Sequence, residues 1–153
     1  MSAEARLAQL GLTLPPVPEP KGLYKPLVMV GNLAYTSGHL PLRSDGSVAT
    51  GRLGADLDEA AGFQAARQTG LAILATLRAA LGSLDRVRRV VKVLGVVNST
   101  PDFQRQPAVI NGCSELLAEV FGREAGVGVR SALGANTLPL GAAVEIEAVF
   151  EIQ

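Results

Sequence analysis

A chain of 153 residues, 48% hydrophobic and 18% charged, has the size of one ordinary domain and can bury a core without disulfides or metal staples. Its 14 basic and 14 acidic residues cancel, which leaves no long-range field for nucleic acid or an anionic membrane. One Cys and one His exclude a disulfide framework or zinc cluster, and no apolar run approaches the roughly 20 residues that span a bilayer. The start, MSAEARLAQLG, has no signal-peptide core, so a cytoplasmic protein is expected.

Ala3 to Leu10 reads as a helix with Ser2 as N-cap and Gly11 beyond its end. The Pro-rich run LPPVPEPKGLYKP then forbids helix. Leu27 to Val30 and Leu33 to Ser37 form a predicted hairpin, because Gly31-Asn32 tolerates the positive φ of a two-residue turn. Gly38 to Gly54 reads mostly as loop.

From Asp58 to Leu81, Phe63, Ala66, Gly70, Ile73, Leu74, Leu77 and Leu81 recur at steps of three and four, the period of one helix face, and Gly82 ends it. RVVKVLGVV follows, too β-branched and too evenly apolar for a half-exposed strand, so both of its faces are expected to be buried. A second long helix is predicted from Pro107 to Phe121, with Gly122 as its stop, and strands from Gly128 to Leu133 and Ala142 to Ile152.

This order predicts an α+β fold in which two long helices cover one face of a mostly antiparallel sheet. With RVVKVLGVV apolar on both sides and no third long helix, the simplest cover for the other face is another copy of the chain.

In the last strand Val144, Ile146, Ala148, Phe150 and Ile152 share one face, and Glu145, Glu147 and Glu151 the other. In the strand before it, Arg130 and Ala132 alternate with Val129, Ser131 and Leu133. If these two strands pair, Arg130 and Glu145 point to the same, subunit-facing side. Charges there either form an ion pair between subunits or line a cleft, where arginine's planar fork suits a ligand carboxylate.

The run VRSALGANTLPLGAAVEIEAVFEI resembles the C-terminal signature of the RidA/YjgF family of reactive-intermediate deaminases: an arginine followed by Ser, a later Leu-Pro, and an acidic I/V-E-I-E strand. LYKPLVMVGNLAYTSGHLP is similar to that family's Tyr segment and Ser-Gly-Gln-Ile-Pro turn, with His39 where Gln is usual. The resemblance spans residues 21–153, leaving 1–20 as an N-terminal helix and Pro-rich extension. The INGCSELLAEVFG helix and the Arg-Ser-Ala-Leu-Gly run after it look more like a divergent branch of the family.

The resemblance implies a chorismate-mutase-like fold, a homotrimer with ligand clefts between subunits, and a small substrate bearing a carboxylate. It implies hydrolysis of enamines or imines such as 2-aminoacrylate to a 2-keto acid and ammonia, with no cofactor and no metal. Carried over, Arg130 holds the carboxylate, Glu145 positions or activates water, and Tyr24 closes the cleft from another subunit. Ser37 and Gly38 form the cleft wall, and Asn111 matches a helix position near the site. Ala132 stands where the deaminases usually have Cys, so any thiol role there is lost, although its carbonyl can still orient water.

Two other functions stay open: a non-catalytic trimer that binds a small carboxylate, and RNA cleavage using the basic cluster Arg86, Arg88, Arg89 and Lys92. That cluster reads more simply as a solvated sheet edge. Cys113 sits on an apolar helix stripe as core filler, and His39, lacking ligand companions, reads as a hydrogen-bonding residue close to the cleft.

Overall fold

The computed structural model describes residues 1–153. Helix α1 (Ala3–Gln9) begins at Ser2, whose hydroxyl accepts from the Ala5 amide at 3.2 Å. Helix α2 (Glu59–Leu81) begins at Asp58, which accepts from the Ala61 amide at 2.8 Å, and stops at Gly82 in the left-handed region, φ 84°. A side-chain cap of this kind contributes about 1 kcal/mol. Helix α3 (Gln106–Phe121) carries Pro107 in its first turn, where a missing N–H has no partner to lose. A short turn of helix not foreseen in the sequence, α4 (Arg123–Gly126), follows it.

The Gly31-Asn32 turn joins strands β1 (Leu27–Val30) and β2 (Leu33–Thr36) as expected. With β3 (Val87–Asn98), β4 (Val129–Ala135) and β5 (Val144–Ile152) they form one sheet in the order β1-β2-β5-β3-β4. Three of its pairings are antiparallel and one, β3 with β4, is parallel. The expected α+β architecture, a mostly antiparallel sheet with the two long helices on one face, is the one observed.

The last two strands do not pair with each other. Helix α3 crosses over between β3 and β4, which makes them parallel neighbours. The chain then returns to insert β5 between β2 and β3. Arg130 is therefore in register with Val93, a core residue that is itself in register with Ala148, whereas Glu145 is in register with Val96. Val144 and Ile146, which flank Glu145, are wholly buried under the helices, so Glu145 points the other way. Arg130 and Glu145 thus lie on opposite faces of the sheet, contrary to the same-side arrangement expected from pairing.

The burial of β3 is also one-sided. Val90, Val93 and Val97 are buried on the helix-covered face, but Leu94 and Val96 remain part-exposed on the other face. That open face carries a continuous row across the sheet, Val28, Tyr35, Val149, Lys92 and Val129, followed by Glu147, Leu94 and Ser131, and then Glu145, Val96 and Leu133. Evenly apolar sequence predicts burial on both sides; one chain supplies cover for only one.

Helices α2 and α3 touch at backbone distance, since a Cβ on Gly112 would stand 2.0 Å from the Phe63 carbonyl oxygen. Only glycine fits there. From Thr69 to Leu77 every residue of α2 is buried, because the 38–54 tract lies over the helix face turned away from α3. Two polar contacts tie the tract down: Gln68 Nε2 donates to the Leu42 carbonyl at 2.5 Å, and Thr76 meets His39. Helix α1 docks through buried Ala3 and Leu7. Its Glu4 carboxylate accepts from both Nε and Nη2 of Arg78, at 3.1 and 2.5 Å, and from the Leu84 amide at 2.9 Å.

Candidate active site

The side chains singled out in the sequence fall into two groups. The first gathers where β5 meets the turn after β2. His39 bridges Ile146 with both backbone hydrogen bonds, so residues 37–39 run beside β5 once β2 has ended. Gly38 then lies so close to Glu145 that a Cβ there would stand 2.5 Å from Oε1. The Ser37 amide donates to the Pro26 carbonyl at 2.9 Å, which closes the β1–β2 hairpin at its open end. Tyr24, Ser37 and Gly38 line one cavity of about 520 Å³ together with the Pro-rich segment.

Glu145 is part-buried, and burial, with the charge of Glu147 on the same face adding to it, holds its carboxyl above the usual carboxylate range. Such a group can hold a proton nearer neutrality than an ordinary glutamate. His39 anchors the turn from beneath. Its Nδ1 lies 2.7 Å from the Ser37 carbonyl and can only donate there, so Nε2, 2.7 Å from Thr76 Oγ1, accepts the threonine hydroxyl. Burial pushes the His39 pKa down, against the opposing effect of the Ser37 carbonyl, which suits the neutral ring.

The second group lies under α3. Arg130 Nη1 donates to Asn111 Oδ1 at 2.7 Å and to Ser114 Oγ at 3.1 Å. Arg130 takes part in none of the molecule's five ion pairs, so its guanidinium is oriented by two neutral acceptors and its charge is unmet. A second cavity of about 230 Å³ opens on these three side chains and on the Gly126–Gly128 backbone. Ala132, two residues along the same face of β4, packs its methyl against the core.

Sequence reasoning placed Glu147 beside Glu145 on one strand face but did not find Ser114. Ser114 stands one helical turn after Asn111, and a polar pair at that spacing was the available signal. Cys113, between them, is wholly buried; burial pushes its thiol up to about 12 despite the nearby Arg130 charge, so it is core filler as expected. The basic cluster disperses. Arg86 caps the Leu81 and Gln153 carbonyls, Arg88 and Arg89 approach Glu151 at 4.0 and 3.4 Å, and Lys92 stands on the open sheet face. No group of three His, Cys, Asp or Glu side chains is placed to hold a metal, and no helix is long and apolar enough to cross a membrane.

Known proteins share this architecture over nearly the whole chain. Residues 4–151 match the family described as "YjgF/chorismate_mutase-like, putative endoribonuclease". Protein TCP17 of Trypanosoma cruzi is 45% identical over 148 residues, 97% of this chain and 92% of that protein. The crystal structure of Atu1372 from Agrobacterium tumefaciens, a protein with unknown function, superposes with a TM-score of 0.90 at 46% identity, covering 99% of this chain and 92% of that one. RidA from the Antarctic bacterium Psychrobacter superposes at 0.63 with 28% identity, covering 89% and 94%. With its sheet order, its terminal acidic strand and this extent of match, the chain belongs to the YjgF/chorismate-mutase-like family, of which RidA is a member.

Proposed function

We propose that the chain hydrolyses small enamine or imine acids to 2-keto acids and ammonia, in clefts built between copies of itself. The observation that carries this reading is Arg130, a guanidinium fixed on one side by Asn111 and Ser114 with no carboxylate of its own. An arginine so held presents its remaining N–H donors to an anion, and a carboxylate matches that fork. Glu145, whose raised pKa suits it to carry a proton, lies on the other face of the same sheet. One small substrate therefore meets both only if they come from different chains. The open sheet face, with Val28, Tyr35, Val149 and Val129 uncovered, is the surface on which copies would pack, and a trimer is the assembly we propose.

In this reading Arg130 grips the carboxylate and the enamine tautomerises to the imine. Glu145 takes a proton from water as its oxygen adds to the C=N carbon, and delivers a proton to the nitrogen. The carbinolamine collapses to C=O and releases ammonia, with one water consumed in all. An imine carbon is already electrophilic, so orientation and proton transfer suffice. Tyr24, Ser37 and Gly38 wall the Glu145 side, and Asn111 with Ala132 the Arg130 side.

The test is to generate 2-aminoacrylate in situ with a dehydratase and to measure keto-acid release with wild type, Arg130→Ala and Glu145→Gln. Faster release with wild type alone is expected, and equal rates with and without wild type would sink the reading. The replacement of the usual Cys by Ala132 favours a second reading, a trimer that binds small carboxylates without turnover. Binding of a 2-keto acid to wild type but not to Arg130→Ala, with no acceleration, would establish it.

A further inference from the structure

Arg88 and Arg89, separated by the fold from Arg86 and Lys92, meet two arginines that the sequence keeps far from them. A cavity of about 660 Å³, where α1, β3 and the start of α4 come together, is lined by Arg6, Arg88, Arg89 and Arg123. Glu124 and Glu151 are the acidic residues of its lining. Four guanidiniums thus face two carboxylates, in a chain whose charges cancel overall.

The backbone gathers these arginines by two separate means. In a regular strand, neighbours such as Arg88 and Arg89 point to opposite faces. A register shift between Val87, opposite Ile152, and Arg89, opposite Glu151, leaves Arg88 as an extra residue, and both side chains line the one cavity. Both also approach the same carboxylate, that of Glu151, at 4.0 and 3.4 Å, so one acid serves two arginines. Arg6 lies against the bare backbone of Gly122, where a Cβ would stand 3.1 Å from its Nη1. Gly122 has φ 86°, a conformation that favours glycine, so no side chain intrudes there.

Arg6 and Arg123 take part in none of the molecule's five ion pairs. Guanidiniums gathered without matching anions repel one another, and their planar forks of donors match the oxygens of a phosphate. The cavity exceeds what a lone phosphate needs and lies in the range of sites for small organic ligands. Phe121 and Ala125 supply apolar lining for an organic portion.

We infer that this cavity binds a small organic phosphate, with a diphosphate group favoured because four forks and an excess of two positive charges suit more than one phosphate. The site is separate from that of Arg130, whose cavity shares no lining residue with it.

Calorimetric titration of the full chain with ADP, AMP and adenosine tests this, at about 50 mM salt so that exposed charges are little screened. Affinity should fall in that order, with ADP at least about tenfold tighter than adenosine. Arg6→Ala and Arg123→Ala should each weaken ADP binding about tenfold, the usual effect of losing one charged hydrogen-bonding group. Arg123 is exposed, so its replacement leaves the core untouched, and thermal melts verify folding of both variants. Arg43→Ala, which removes the same charge from the 38–54 tract, should leave ADP binding unchanged. No binding of ADP, equal binding of ADP and adenosine, or equal weakening by Arg43→Ala would overturn the inference. Capture of a single-stranded RNA through Arg6 and Arg123 without binding of ADP would also overturn it, and would assign the surface to nucleic acid.

Discussion

The backbone of Gly38 leaves no room for a side chain beside the Glu145 carboxylate: a Cβ at Gly38 meets Oε1 at 2.5 Å, Cδ at 2.9 Å and Cγ at 3.0 Å. Gly38→Ala therefore displaces Glu145 rather than the fold, because a glutamate side chain swings at little cost and Gly38 itself is exposed. Keto-acid release should fall by about 10²-fold, the usual effect of misplacing a proton-transfer group by an ångström. The thermal midpoint should stay close to that of wild type; a variant with full activity would show that Glu145 need not occupy its present position.

Arg130 and Glu145 face opposite sides of one sheet, so the proposed cleft would take one of them from each of two chains. Arg130→Ala and Glu145→Gln should each be inactive alone, whereas unfolding and refolding them together should restore a fraction of wild-type rate. Arg130→Lys should not rescue, since a point charge cannot both donate to Asn111 and Ser114 and fork onto a carboxylate. Absence of any recovered activity in the mixture would place both groups in one chain's site.

If Glu145 accepts water's proton as proposed, its raised pKa should set the acidic limb of the pH profile, and the rate should fall as pH drops through that raised value. Glu147 contributes to the shift, but less than burial does. Glu147→Gln should move the limb to lower pH by a minor part of the shift, and rate profiles of the two proteins decide it. Movement to higher pH would contradict the assigned cause.

Glu4 behaves oppositely. Its hydrogen bonds with Arg78 hold its pKa below the usual value, against a smaller effect of burial, so the folded state favours the ionised form. The stability this brings is present above the unfolded pKa and is lost as pH falls through the folded one. Glu4→Gln should cost about 1 kcal/mol at neutral pH, discounted because the pair is part-exposed, or roughly 2–4 °C in Tm. Thermal melts at neutral and acid pH should show the difference shrinking on the acid side.

Much of this was readable in the residue order, and the exceptions have physical causes. Alternation in β5 assigns Val144, Ile146 and Phe150 to the core and Glu145 to the other face without ambiguity, because strand period is two. Which strand lies beside which is not a local property. The α3 crossover decides that β4 joins β3, and so which way Arg130 points relative to Glu145. The resemblance to known deaminases nominated Asn111, but Ser114 appeared only once the helix was laid against β4. Residues 16–18 read as part of a Pro-rich extension; only the folded chain shows them lining a cavity.

The sheet order has a further consequence, for the time at which the protein can fold. β5, the last strand in sequence, is the middle strand in space, bonded to β2 on one side and β3 on the other. Until residues 144–152 are made, the hairpin and the parallel β3–β4 pair, although α3 already covers the latter, each lack the neighbour that joins them. The complete sheet therefore waits for β5 and closes through long-range contacts, which slows folding. In that interval the two open edges are where aggregation begins and where chaperones have most to protect.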